Sequence, residues 1–282
     1  MSYSLNTLYV QVGISKQAVY QYSQRQQELD RKMEQLVLEA DELRKDHPGC
    51  GVEKMYRTLQ PDFIGRDRFI ETMMQLGYRL KKNKNYRKTT IASKRYYPNL
   101  IKGLKINSPS TLWQSDITYI QVGDRFYYAV FILDVYTRKI VGYNVADHMR
   151  GTANVKALNM ALIAHLAPKI HHSDRGSQYT YSSYIDLLIA HNCTISMGLT
   201  AQDNAYAERI NRTIKEEYLY HWKPANYNQL KRHIKKAVNN YNNKRQHDNL
   251  GGLSPQEFEN LWSHMSAKQR PEMTIFNNEM NV

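Results

Sequence analysis

The chain has 282 residues, 41% of them hydrophobic, with 39 Lys or Arg against 26 Asp or Glu and a net charge of +13. That length suits one large domain with one or two small ones, and that basicity favours a polyanionic partner. No run of about 18 apolar residues is present, so no membrane-spanning helix is expected. The opening MSYSLNTLYVQVG lacks the basic-then-apolar order of a secretory signal. Cys50 and Cys193 are far apart, outside any metal pattern, and read as reduced thiols of a cytoplasmic protein. With no amphipathic anchor visible, nucleic acid is preferred to a membrane surface as partner.

Residues 5–22 have the pattern of a helix-turn-helix. Leu5, Leu8 and Tyr9 give one apolar face, Gly13 a turn, and Ser15 an N-cap for a second helix carrying Ala18, Val19 and Tyr22. Lys16, Gln17 and Gln21 would then face outward, toward a DNA groove; a helical hairpin without DNA contact is the plainer reading. Residues 24–46 read as one charged helix. Its Leu29, Met33, Leu36, Ala40 and Leu43 form a seam only about two heptads long, too short for a free coiled coil and suited to a neighbouring helix. His47-Pro48-Gly49 ends it. A second helical pair is expected at Val52–Leu59 and Arg66–Leu76, closed by Gly77, with a small core of Met55, Leu59, Phe69, Met73 and Leu76. Arg66 and Arg68 open its second helix as further DNA-binding candidates.

Residues 72–115 contain no acidic residue. Ten Lys or Arg lie between 79 and 105, including Lys81, Lys82, Lys84, Arg87 and Lys88, with Tyr78, Tyr86, Tyr96 and Tyr97 among them. A charge run is by default a solvated linker. Single-sign charge interleaved with aromatics favours a linker that tracks DNA.

From about residue 109 the pattern turns α/β. Strands are expected at 113–122, 126–135, 139–146, 169–173 and 194–197, and helices at 152–165, 184–190, 205–220 and 227–242. Three strands in a meander followed by alternating helices and strands describe a mixed five-stranded sheet flanked by helices. Asp116 lies in a strand otherwise rich in β-formers, where a carboxylate is disfavoured. Asp174 follows a short strand, and ligands gather beyond the carboxyl ends of sheet strands. Glu208 opens a helix whose Ala207, Ile210 and Ile214 form the packing face, while Asn204, Glu208, Arg212 and Lys215 share an adjacent face. Each carboxylate alone has a bland explanation. Together they form a hard-oxygen set suited to Mg2+ or Mn2+ rather than zinc. Two such ions can activate water and stabilise the leaving oxygen of a phosphodiester. Asp134 reads as a turn partner or a fourth ligand, His172 as a packed histidine or a phosphate-orienting one. Gln178 and Tyr179 would touch DNA or fix the loop after Asp174. Lys231, Arg232, Lys235 and Lys236 mark the exposed side of the helix at 227–242, with Lys235 and Lys236 taken as DNA-binding candidates.

WQSDITYI, LDVYTRKIVGY, HSDRGSQYT, SMGLTAQDNAYAE and YNNKRQHDNLGGLSPQEF, with HPGCGVEKMYRTL in the helical part, resemble the DDE transposase and retroviral integrase superfamily. The chain resembles most closely the second-frame (OrfB) transposases of the IS-three family over nearly its whole length. The resemblance implies an RNase H-like core with Asp116, Asp174 and Glu208 as the catalytic and metal-binding triad and Lys215 as a contact to DNA ends. It also implies assembly as a dimer or larger on paired ends. The 33 residues between Asp174 and Glu208 are two fewer than the family's usual interval, which places the difference in the active-site loop.

The expected organisation is a helix-turn-helix plus long helix at 1–46, a second helical unit at 47–78 and a basic linker at 79–108. A catalytic core with a C-terminal helix follows at 109–262, then a tail. The expected function is cleavage and strand transfer at insertion-sequence ends with two divalent ions. The partners are terminal inverted repeats, target DNA and an upstream-frame (OrfA-type) protein, in a cytoplasmic, nucleoid-associated setting. A structure-selective RNase H-like nuclease and a catalytically silent DNA-binding repressor are the other classes.

Overall fold

The computed structural model describes residues 5–80 and 96–276. The chain divides into two compact units, Met1–Lys81 and Lys82–Val282. Among the described residues no helix is long and apolar enough to cross a membrane.

The first unit is helical. α1 (Leu5–Val12) leads through Gly13, at φ +70°, into α2 (Lys16–Asp46). Ser15 caps α2 by accepting from the Ala18 amide at 3.1 Å. The second helix of the expected motif and the charged helix at 24–46 are therefore one continuous 31-residue helix. No Gly or Pro interrupts residues 16–46, and Gln, Glu, Lys, Arg and Leu are strong helix formers. α3 (Val52–Leu59) and α4 (Arg66–Gln75) follow. The seam of α2 packs on them: Leu36, Ala40, Met55, Phe69 and Met73 are buried, with Met33, Leu43 and Leu59 partly so. Leu76, expected in this core, is exposed because it lies past the end of α4. Val10, Val12, Tyr20 and Tyr22 are also exposed.

The second unit is a mixed sheet between two helical layers. β1 (Lys105–Ile106) is followed by β2 (Leu112–Val122), β3 (Arg125–Asp134) and β4 (Ile140–Ala146), then α5 (Gly151–Ala164), β5 (Ile170–Ser173), α6 (Ser182–Ala190) and β6 (Thr194–Met197). The five-stranded sheet has the order β4-β3-β2-β5-β6. β2–β3 and β3–β4 are antiparallel, while β2–β5 and β5–β6 are parallel. Alternation along β3 splits the core between the two faces. Ala129, Phe131 and Leu133 face α7 (Ala205–Ile214) and α9 (Tyr227–Asn243); Val130 and Ile132 face α5 and α6. Gly142 on β4 lets α5 approach: a Cβ there would lie 2.4 Å from the Ala157 carbonyl oxygen and 2.8 Å from the Ala161 Cβ.

The helix expected at 205–220 is not uniform. After α7 the chain widens into a π turn, Lys215–Leu219, and resumes as α8 (Tyr220–Trp222). The extra residue in the turn brings both Tyr218 and Leu219 into the core. Arg245, just past α9, grips that turn with Nε and Nη2 each 2.7 Å from the Glu217 carboxylate.

Two segments read as linker and tail are part of this unit. Ile101 and Ile106 are buried with Leu112, Tyr136, Phe258 and Ile275. β1 pairs with β7 (Met273–Thr274), beyond the capped helix α10 (Pro255–His264). The charge count of 79–108 hid this, because two apolar anchors suffice to seat a strand. Lys81, Lys82, Lys84, Arg87 and Lys88 lie outside the described residues.

Two outcomes follow from this packing. Gly142→Ala should lower stability by about 1–3 kcal/mol by forcing β4 from α5, read as the midpoint of urea unfolding. His171 is buried against Tyr184, its Nε2 2.9 Å from the phenol oxygen, and burial pushes its pKa down to about 3. The unfolded imidazole takes its proton near pH 6.5. Stability should therefore be full above that pH and fall by up to about 1.4 kcal/mol per unit as the pH drops toward 3. His171→Phe should flatten the slope by that amount.

Candidate active site

The site forms where β2 and β5 part. Their parallel register runs Leu112↔Ile170 to Ser115↔Ser173 and stops. The next residues are Asp116 and Asp174, each one position past the last paired residue of its strand. Both are half-buried. The Asp174 Oδ1 accepts from the Gly176 amide at 3.0 Å, so the turn role considered for this residue is also present.

α7 brings the third carboxylate. Its start is pinned to β2: the Asn204 amide donates to the Ser115 carbonyl at 3.0 Å, and the Gln114 side chain accepts from the Ala207 amide at 3.4 Å. One turn beyond Glu208, the Asn211 amide donates to the Asp116 carboxylate at 2.7 Å. Asn204 and Asn211 flank Glu208 at helical spacing, so Glu208 lies on the face turned to β2. Asn211 escaped the sequence reading because an asparagine in a helix carries no chemical signature. Its i+3 offset from Glu208 was the available signal.

Electrostatics confirm the proximity. Burial, then the charge of Asp174, with a smaller share from Glu208, raise the Asp116 pKa to about 8. Glu208 is raised by burial and by Asp174 and lowered by Arg212. Among the described residues no three His, Cys, Asp or Glu side chains close into a ready metal cage. Asp174 and Glu208 both act electrostatically on Asp116, and like charges of this kind disfavour one another's ionisation. Carboxylate oxygens of this kind suit a hard divalent cation.

Lys215 and Arg212 act electrostatically on these carboxylates, and the other candidate cations lie elsewhere in their own units. Lys215, on the π turn, is half-buried; burial lowers its pKa, and Asp116 is the first group to oppose that. Its Nζ lies 5.5 Å from the Tyr119 ring centroid. Arg212 is exposed one turn after Glu208. Lys235 and Lys236 are exposed on α9, the latter 5.0 Å from the Trp222 ring. In the first unit Lys16, Gln17 and Gln21 are exposed on α2. Arg68 is exposed, whereas Arg66 is engaged by Asp67 at 3.0 Å and Glu53 at 3.9 Å.

One supporting feature was also missed. Asp203 is buried and accepts from the Leu199 amide at 2.8 Å and the Thr200 amide at 3.0 Å, closing a capping box with Thr200. This box shapes the shortened loop before α7, and Gly198 leaves it room, since a Cβ there would lie 2.7 Å from the Asp203 Cβ. Tyr179 is buried, its hydroxyl 2.9 Å from Ser115 Oγ, so it fixes the loop after Asp174. Asp134 is a turn partner, accepting from the Ser110 amide at 2.6 Å and the Thr137 amide at 2.9 Å. His172 is buried against Ser196 at 2.8 Å and packs within the sheet.

Asn211→Asp would set a fourth carboxylate against Asp116. The variant should melt below the wild type, and Mg2+ should restore more of its midpoint than it adds to the wild type, read by differential scanning fluorimetry.

Residues 107–202 match one integrase core domain family and residues 192–255 a second of the same description. A 31 kDa protein of insertion element IS600 from Shigella sonnei is 31% identical over 268 residues, covering 90% of this chain and 98% of that protein. The transposase for insertion sequence element IS629 from the same organism is 32% identical over 230 residues, covering 77% of this chain and 76% of that protein. A chain of the simian T-cell lymphotropic virus intasome, solved in complex with PP2A regulatory subunit B56 gamma, shares the fold. Its TM-score is 0.52 at 15% identity, covering 84% of this chain and 78% of that one. Sequence kinship over nearly full length and an integrase core on a five-stranded sheet agree: this chain belongs to the insertion-sequence DDE transposases, the IS-three family that its motifs resemble.

Proposed function

We propose that Asp116, Asp174 and Glu208 are the catalytic triad and together hold two divalent ions, Mg2+ or Mn2+, for cleavage and strand transfer at the ends of an insertion sequence. The observation that supports this reading is the register of β2 on β5, which ends one residue before both Asp116 and Asp174, together with the bond to Asp116 from Asn211 on the helix that carries Glu208. Bound there, such ions activate the attacking oxygen and neutralise charge on the leaving one. The protein's own part is positioning. Asn211 orients the Asp116 carboxylate. Lys215 and Arg212 set positive charge where a phosphodiester must approach, and the Asp203 box holds the loop that leads to Glu208. No covalent intermediate with the protein is needed, so rate comes from orientation and charge.

In the same reading the helical unit recognises the terminal inverted repeats, with Lys16, Gln17, Gln21 and Arg68 outward on α2 and α4. Arg66 contributes less, being held by Glu53 and Asp67. Lys81, Lys82, Lys84, Arg87 and Lys88 follow the phosphate backbone between reader and catalyst, and Lys235 and Lys236 extend the basic surface. Two or more copies act on paired ends. An OrfA-type partner and a cytoplasmic, nucleoid-associated setting complete the reading.

Glu208→Gln keeps the side-chain shape and removes one ligand charge. Cleavage and strand transfer on an oligonucleotide carrying the element end should be abolished, while gel-shift affinity for that end stays within about twofold, a margin comparable to small surface effects. An equal loss of binding would make Glu208 a structural residue.

A further inference from the structure

β5 lies beside β2 only from Leu112 to Ser115. From Asp116 onward the outer edge of β2 has no strand beside it among the described residues. A cavity of about 410 Å³ opens along that edge. Tyr119 and Gln121 line it from the strand, and Lys215, Tyr220 and Lys223 from the π turn, α8 and its end. We propose that this groove holds an unpaired nucleotide of the DNA strand that passes the catalytic carboxylates. The proposal rests on the function assigned above to those carboxylates.

Position is the first argument. Ile120, four residues beyond Asp116 and on the same face of β2, lines the groove, and Lys215 of the groove wall lies close enough to Asp116 for their charges to interact. A strand whose phosphate sits at Asp116 and Asp174 reaches the groove without leaving the surface. Size is the second. The cavity lies at the small end of the range for ligand pockets, about 300–1,000 Å³. It suits one base and its sugar, not a duplex, whose major groove alone is about 12 Å wide.

Chemistry is the third argument. Lys215 and Lys223 bring positive charge to the wall, complementary to a phosphate. Lys215 Nζ stands 5.5 Å from the Tyr119 ring, so cation and aromatic face the same space. Tyr119 is already committed edge-on to Phe126, with centroids 5.8 Å apart at 71°. Tyr220 is exposed and presents the ring on which a base can stack. Lys223 sits at φ +43°, a conformation that favours Gly or Asn, at the point where the chain leaves α8.

The test is binding of full-length protein to an end duplex, followed by fluorescence anisotropy. One duplex is fully paired; others carry a single mismatch at positions one to three from the scissile bond or far from it. A mismatch removes the cost of unpairing, so the wild type should prefer one near position by about tenfold. 2-Aminopurine placed there should change its emission on binding. Tyr220→Ala and Lys223→Asn should each lose the preference, and Tyr220→Phe should keep it. Both side chains are exposed, so thermal midpoints should match the wild type. The proposal is overturned if the wild type shows no near-position preference, if distant mismatches help equally, or if Tyr220→Ala retains it. Failure to cleave the fully paired duplex would strike at the assigned function instead, since the groove is read by binding alone.

Discussion

Two parallel strands stop pairing one residue before an aspartate on each, and the second unit is arranged to hold both strand ends in place. Asp116 and Asp174 repel, and partial burial makes the repulsion stronger than it would be in water. The β2–β5 ladder fixes the backbone up to Ser115 and Ser173, and the Asn211 side chain holds the Asp116 carboxylate at the next position. Burial first, and then the charge of Asp174, disfavour the charged form of Asp116 and raise its pKa to about 8. A hard divalent cation is the natural relief of such an arrangement.

Support for the site comes from polar contacts that are themselves buried. Asn204, Asn211 and Asp203 are each nearly inaccessible, and each holds α7 or its leading loop to β2 or to itself. The other end of the helix is held by Arg245 on Glu217, a paired and mostly hidden ion bridge. Breaking either partner of such a pair leaves a buried charge, which costs several kcal/mol. The π turn between these anchors lets Lys215 lie near Asp116 while Tyr218 and Leu219 both pack inward.

Much of this was legible in the chain. Alternation in β2 and β3, the Gly-Asp turn between them, and the helical spacing of α5 and α9 mark their elements within a residue or two. Asp116 was conspicuous because a carboxylate is out of place in a β-rich run. The continuity of α2 was less clear, since Ser15 signals a start and nothing between 16 and 46 signals a join or a break. The segments at 96–108 and 263–276 were misjudged as linker and tail. Their pairing, Lys105 with Thr274 and Ile106 with Met273, spans most of the catalytic unit, and two-residue strands leave no periodicity to read.

By itself the sequence determined the chemistry available: three carboxylates, a surplus of basic residues and motifs shared with DDE transposases. Those are properties of residue type and local order, and each motif is contiguous. Only the tertiary structure decided which groups act on which. Asn211 meets Asp116 across 95 residues, Arg245 meets Glu217 across 28, and the groove beside β2 exists because β5 is shorter than its neighbour. Such contacts depend on register, strand length and the extra residue of one helical turn, and none of these is encoded at a single position.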